Sequence, residues 1–207
     1  MARAKSEYLG AYGTVGEILK SLVDDLLATV GDKADSALDN LRDKDVRRKV
    51  VEILVASVQA LRQKFTFTVD YSRSLAEMIA AGRYDWTNSD INAANFPIKG
   101  EGSVETEGEL FHFNRNIGFD EAIREMDKDG YRPATIEELL AFGAKHPELQ
   151  RQFPIIALGS VWQRSHGLRN VADLGRSDAE RDLYLRWIDG GWYDPCRFLA
   201  VRKSSSR

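Results

Sequence analysis

The chain has a single cysteine, Cys196, among 207 residues. One thiol excludes an intrachain disulfide and a multi-cysteine metal site. The several bridges that staple small secreted domains are absent with it, and a buried, inert thiol is the reading expected of such a residue. A surplus of charge of one sign is also missing. Lysine and arginine number 29 against 32 aspartates and glutamates, for a net charge of −3, so no basic field calls for nucleic acid or an anionic membrane. The signs are interleaved, as on a solvated surface; the basic run "RDKDVRRKVV" carries acids among its bases. No stretch reaches the roughly 18 apolar residues of a membrane span. "MARAKSEYLGAYGTVGE" lacks an apolar run after its basic residues and does not read as a secretory signal, and the final compartment is left open. A Gly-x-Ser-x-Gly elbow is missing too, since "LGSVW" lacks the second glycine. No phosphate-cradling glycine loop or dinucleotide fingerprint occurs. Neither cofactor nor metal is implied.

What is present falls into two textures. Residues 1–63 read as an N-terminal helical segment. Thr14 and Glu17 have capping-box spacing. Val15, Ile18, Leu19, Leu22, Val23, Leu26, Leu27 and Val30 then recur at steps of three and four along one helix face. Gly31 fits a helix stop. A shorter helix carries Ala34, Ala37, Leu38 and Leu41, and a third carries Val46, Val50, Ile53, Leu54, Val58 and Leu61, with Asp43 and Asp45 at its positive end. Each amphipathic stripe must be buried on something: on the other helices, on the following domain, or on a carrier or second copy of the chain.

From Phe65 the pattern changes to short elements, and residues 64–203 read as an α+β domain. Phe65, Phe67 and Val69 alternate with threonines as in a half-buried strand. Ser74 and Glu77 form a second capping box before a short helix that ends near Gly82. "RYDWTNSDINAANFP" reads as a loop and "ELFHFN" as a strand, with His112 structural because no second ligand lies at metal spacing. Asp120–Asp129 reads as a helix stopped by Gly130. Pro133 prevents its resumption, and Thr135 with Glu138 caps the next helix, whose buried side is Leu139, Leu140 and Phe142. Glu137 and Glu138 therefore read as dipole partner and cap rather than an acid–base pair. "FPIIALGSVW", "LYLRW" and "CRFLAVRK" read as strands, with Leu183, Leu185 and Trp187 on one face. The last strand sets Cys196, Phe198, Ala200 and Arg202 on one face against Arg197, Leu199, Val201 and Lys203 on the other. "QRSHGLRNVADLGRSDAER" and "IDGGWYDP" read as turn-rich connections, and 204–207 as a disordered tail.

"GYRPATIEELLAFG", "ALGSVW" and "CRFLAVRK" resemble, in that order, the Gly-aromatic-Arg-Leu-Pro-Thr segment, the Gly-Gly-Ser-Trp strand and the closing Gly-Phe-Arg-Leu-Val-Arg strand of formylglycine-generating-enzyme-like domains of the C-type lectin fold. The match covers roughly residues 119–203. It implies a C-type-lectin-like fold following the helical segment. Enzymatic members use a pair of active-site cysteines to handle copper and oxygen; with one cysteine, the resemblance implies the scaffold without that chemistry, and not an enzyme. Sugar-binding C-type lectins hold calcium through Glu-Pro-Asn-like and Trp-Asn-Asp-like strings. Neither occurs, and Asp189 with Asp194 offers too few oxygens.

The layout most resembles the variable proteins of diversity-generating retroelements, in which such a scaffold displays a C-terminal region rewritten by mutagenic reverse transcription. Residues 160–203 have the matching texture: Trp162, Leu174, Leu183, Leu185, Trp187, Trp192, Phe198 and Val201 as fixed positions among unrelated polar ones. A strand can keep one side in the core and display the other. The expected display surface is Arg164, His166, Arg169, Asn170, Asp189, Trp192, Tyr193 and Asp194, with Trp192 equally suited to the core. Its ligand would be a protein or other macromolecule. The rival expectations are a formylglycine-type enzyme with lost or altered chemistry, marked by a pocket of convergent ionisable groups, and a structural assembly component, marked by a terminal region that is buried throughout.

Overall fold

The computed structural model describes residues 42–60 and 63–203 apart from 165 and 194, together with isolated positions between 20 and 40. The Thr14–Glu17 cap, the stripe residues from Val15 to Val30, the Ala34, Ala37, Leu38 and Leu41 of the expected short helix, Leu61, Asp194 and the tail at 204–207 lie outside the described residues, as do the side chains of 54–60. The chain divides into two compact units, 1–61 and 62–207.

In the first unit, helix α1 spans Lys44–Ala60. Asp43 starts it: its carboxylate accepts from the N–H groups of Asp45 at 2.8 Å and Val46 at 3.1 Å, satisfying donors that the first turn leaves free. Gly31 takes φ +52°, the left-handed value suited to a helix stop. Val50 and Ile53, expected on a buried stripe, are exposed, as is Val51. No described helix is long and apolar enough to cross a membrane.

The second unit is mixed α and β. Its strands are β1 (Lys64–Asp70), β2 (Trp86–Thr87), β3 (Ser103–Phe111), β4 (Tyr131–Pro133), β5 (Ile155–Gln163), β6 (Arg169–Ser177), β7 (Glu180–Trp187) and β8 (Arg197–Arg202). Helices α2 (Leu75–Gly82), α3 (Phe119–Lys128) and α4 (Ile136–Lys145) complete it. The sheet order is β1-β3-β8-β5-β6-β7-β2, with β4 added beside β8. Pairing is antiparallel except between β5 and β8 and between β2 and β7.

Side-chain alternation divides the interior into two layers. Leu199 and Val201 of β8 join Phe65, Phe67, Ile155, Leu174 and Leu183 beneath α2 and α4, which contribute Leu75, Met78, Leu139, Leu140 and Phe142. Phe198 and Ala200 point the other way, to Ile156, Leu158, Val171 and the α3 residues Ala122 and Met126. β8 is thus buried on both faces, and it cannot serve as the half-exposed display strand expected within 160–203. β6 was expected as a turn-rich connection, yet its segment from Asn170 to Gly175 is a buried central strand. Burial on both sides removes the in–out alternation by which a strand is recognised.

Local chemistry sets the corners. Ser74 with Glu77 and Thr135 with Glu138 form complete capping boxes. Gly130, at φ +82°, ends α3, but the following residues do more than turn, because Tyr131 to Pro133 pair with Arg202 to Ala200 as β4. Arg132 is held by structure: its Nη1 and Nη2 donate to the two oxygens of buried Glu138 at 2.8 and 2.6 Å. Glu137 is buried as well and accepts from the Lys99 N–H at 2.8 Å. Gly159 lets β5 approach this corner; a Cβ there would lie 2.6 Å from the Ala134 carbonyl oxygen. Across the sheet, buried Arg181 of β7 donates to Gly82 O at 2.7 Å, Gly143 O at 3.2 Å and Gln150 Oε1 at 3.0 Å, tying α2 and α4 to the strand.

Candidate functional site

The expected residues that are described lie in the β5–β6 turn, at the adjoining start of β6 and on the loop after β7. β5 and β6 are joined by a tight turn in which Arg164 N–H donates to Leu168 O at 2.8 Å and Gly167 N–H to Arg164 O at 2.9 Å. The register then sets Trp162 opposite Asn170, and Asn170 opposite Trp187. These three side chains form a row across one face of the sheet. The Arg164 guanidinium lies 5.0 Å from the Trp162 ring and pairs with Asp90 at 2.7 Å. Arg164, Leu168, Asn170 and Trp187 line an open depression of about 390 Å³.

On the opposite face, Arg169 lies 5.7 Å over Phe119 and pairs with Asp189 at 2.5 Å. Asp189 also accepts from Trp187 Nε1 at 2.9 Å, so this one carboxylate joins the two faces at the sheet's end. Its pKa is lowered chiefly by the Arg169 hydrogen bond, with Trp187 assisting. Beyond Asp189, Tyr193 lines a second depression of about 330 Å³ with Asn116, Ile117, Gly118, Gly190, Gly191 and Trp192.

The structure thus brings Arg164 and Asn170 together, pairs Arg169 with Asp189, and places Tyr193 on the adjoining loop. His166 is exposed in the β5–β6 turn. Trp192 is a correction: it is 2% exposed and packs edge-on against Phe198, with centroids 5.8 Å apart, so its ring belongs to the core. Trp187 is the converse. Expected as a fixed position, it is 50% exposed, and Leu168, which did not figure among the expected residues, is 47% exposed. The parity of β7 was legible in its alternation. That the strand outruns its helical cover at Trp187 is a tertiary fact with no local signal.

Behind this end lies a second arginine–aspartate pair. Arg186 donates to Asp173 Oδ2 from Nη2 at 2.8 Å and from Nε at 3.2 Å. Asp173 is fully buried, and its Oδ1 has no hydrogen-bond partner among the described residues. Burial pushes the Asp173 pKa up, against the pull of Arg186. Burial also acts to lower Arg186, but the Asp173 charge and hydrogen bond outweigh it and hold the guanidinium charged. With two donors converging on one carboxylate oxygen, we read the pair as ionised at neutral pH.

The arrangement is suited to noncovalent contact. The Cys196 thiol is buried and its pKa is pushed up by burial, which disfavours the thiolate. Ser160 Oγ accepts from the Ile136 N–H at 3.0 Å, a helix-end contact. Among the described residues no three His, Cys, Asp or Glu side chains are placed to hold a metal. No family model, curated protein or solved structure matches the chain, so its role is to be read from this geometry.

Proposed function

We propose that the chain is a ligand-binding display protein, with a C-type-lectin-like scaffold resembling that of retroelement-diversified variable proteins and a macromolecular ligand. One observation carries this reading. The end of a sheet whose base is buried on both faces presents Arg164, Leu168 and Trp187 around one depression, with Arg169 on the opposite face joined to Trp187 through Asp189 and Tyr193 on the loop beyond, mixing aromatic area with polar handles. The rigid base and the variable-looking rim divide the work as in other loop-on-scaffold binders. The display region is narrower than the whole of 160–203: it is drawn from 161–169 and 186–193 without Ile188 and Trp192, because those two, Asn170 to Gly175 and 198–201 are buried.

Sequencing the gene's flanking DNA and its copies across a growing population tests the proposal. The expected result is a nearby reverse transcriptase with a near-copy of the terminal coding segment, and substitutions at template adenines concentrated in the codons of Arg164, His166, Leu168, Arg169, Trp187, Asp189 and Tyr193. Codons of Val171, Leu174, Phe198 and Leu199 should stay constant. Absence of the repeat, or equal variation at the buried codons, overturns the reading.

A further inference from the structure

β1 is the longer free edge of the sheet. Among the described strands it pairs with β3 alone, in an unbroken ladder from Lys64–Glu109 to Asp70–Ser103. The opposite edge, β2, is two residues long. Edge strands are commonly blunted by shortness, proline or a bulge, and β1 has none of these. The direction of its backbone groups follows from the register. Tyr71 N–H donates to Gly102 O at 2.8 Å, one step beyond the last pair. Backbone groups alternate sides along a strand. Phe65, Phe67 and Val69 therefore bond β3, while Lys64, Thr66, Thr68 and Asp70 turn their N–H and C=O groups outward. Thr66 O has the same parity, because Lys145 Nζ donates to it at 2.6 Å from outside the ladder.

Beside this edge lies a cleft of about 330 Å³, lined by Thr68, by Met78 and Ala81 of α2, and by Leu140, Ala141 and Ala144 of α4. Phe67 and Val69 are buried beneath the same two helices. A residue set opposite either of them on an added strand would send its side chain to that face. Exposed Arg73 and Lys145 also line the cleft, and neither has an ion-pair partner among the described residues. Asp70, the acid among the lining residues, already accepts from Ser72 N–H at 3.2 Å and Ser72 Oγ at 2.6 Å. Outward backbone groups supply affinity for an extended chain, and an adjoining apolar cleft selects its side chains.

We infer that β1 takes an extended segment of a partner protein as an added strand, bonded through Thr66 and Thr68. The segment carries an apolar side chain for the cleft and, beside it, an acidic residue for Arg73 and Lys145. Its entry displaces Lys145 from Thr66 O and frees the ammonium for that acid. A second copy of β1 fits less well, since the side chains it would bring to the helical face, Phe65, Phe67 and Val69, are buried in its own core. This role does not depend on the display reading, which concerns β5 to β7.

A phage-displayed library of random peptides about ten residues long, panned on the full chain after depletion on Thr68→Pro, tests the inference. Proline removes one outward N–H and leaves the β1–β3 bonds in place. The expected survivors share an apolar residue with an acid close to it. The strongest, made as a free peptide, should bind Thr68→Pro and the cleft-filling Ala144→Phe about tenfold or more weakly than wild type, and Lys145→Glu more weakly by a smaller factor. At saturation it should slow amide exchange at Thr66 and Thr68 by about tenfold, and by less at Phe65, Phe67 and Val69, whose N–H groups are already bonded. If Thr68→Pro does not fold, Ala144→Phe replaces it in the depletion. No survivor, survivors without that pattern, or protection confined to other amides overturns the inference. Thr66 and Thr68 amides protected without peptide at every dilution would assign the edge to the chain's own residues. Protection that grows with protein concentration would assign it to a second copy, and either result overturns the inference as well.

Discussion

Arg186 with Asp173 and Arg169 with Asp189 are the same chemical pair in two settings. Both sit on β6, β7 or the loop just past β7, yet one lies under the sheet's cover and the other at its open end. The Asp173 side chain is 0% exposed and the Asp189 side chain 37% exposed. Burial raises the pKa of the first, whereas the Arg169 hydrogen bond lowers that of the second. Position relative to water therefore decides what the pair does. Inside, it is a costly and specific joint; outside, it is an exchangeable latch worth little to stability. A gradient of the same kind runs along β5 and β7, from buried residues to exposed ones at Gln163 and Trp187.

The interior end should break first and hardest. Phe198→Ala, which empties a fully buried site touched by Phe113 and Trp192, is expected to cost about 3–5 kcal/mol in urea unfolding. Arg186→Met leaves Asp173 buried without its partner and should cost a similar amount, about 3–5 kcal/mol. Asp173→Leu/Arg186→Met should regain most of that loss, since replacing both members of a buried pair with apolar groups is often near neutral. A double variant as unstable as the single would mean that the pair holds the strands together rather than merely tolerating its own burial, and the contrast with Arg169–Asp189 would need a different cause.

Midway between interior and rim, Thr135→Ala removes one half of the capping box at the start of α4 and should cost about 1 kcal/mol. At the rim, Trp187→Ala should move the unfolding free energy by no more than about 0.5 kcal/mol in either direction. Tyr193→Ala should behave likewise. A large loss at Trp187 would show that its half-exposed ring is scaffold after all, and would shrink the platform to the β5–β6 turn and the Tyr193 loop.

This gradient also explains what was legible before the structure. The capping boxes at Ser74–Glu77 and Thr135–Glu138 are local, so spacing alone revealed them. The alternation of "FTFTV" and of "LYLRW" identified β1 and β7 because each has unlike faces over those residues. β6 escaped because "NVADLG" is interior on both sides and includes Asp173, whose charge is tolerable only with Arg186 of the next strand opposite it diagonally. β4 escaped because three residues beside a proline look like a turn until β8 is there to pair with them. In the candidate site, Arg164, Arg169 and Asp189 were legible as polar residues of turns. Trp192 and Trp187 exchanged roles because burial of a tryptophan depends on which elements cover it: Ile117 pairs with Trp192, while the β7 end at Trp187 is left open.

The smallest effect is also the most diagnostic, because its sign differs between the two aspartates. Asp189 has a folded pKa below its ordinary value of 3.8. Its contribution to stability is therefore present above the unfolded pKa and is lost as pH falls through the folded one. Asp173 has a folded pKa above 3.8. Its contribution is fully present below the unfolded pKa and declines as pH rises toward the folded one. Urea unfolding of the wild type, Asp189→Asn and Asp173→Asn between pH 7 and pH 3 would separate them. The margin of wild type over Asp189→Asn should close on acidification below about pH 4, whereas wild type should gain on Asp173→Asn as pH falls from neutrality toward that value. Because each comparison removes one carboxylate and leaves every other titrating group in place, the background pH dependence cancels. Two margins that move in the same direction would mean that the Arg186 pair is wet rather than buried, and the division between a dry base and an exchangeable rim would fail at its joint.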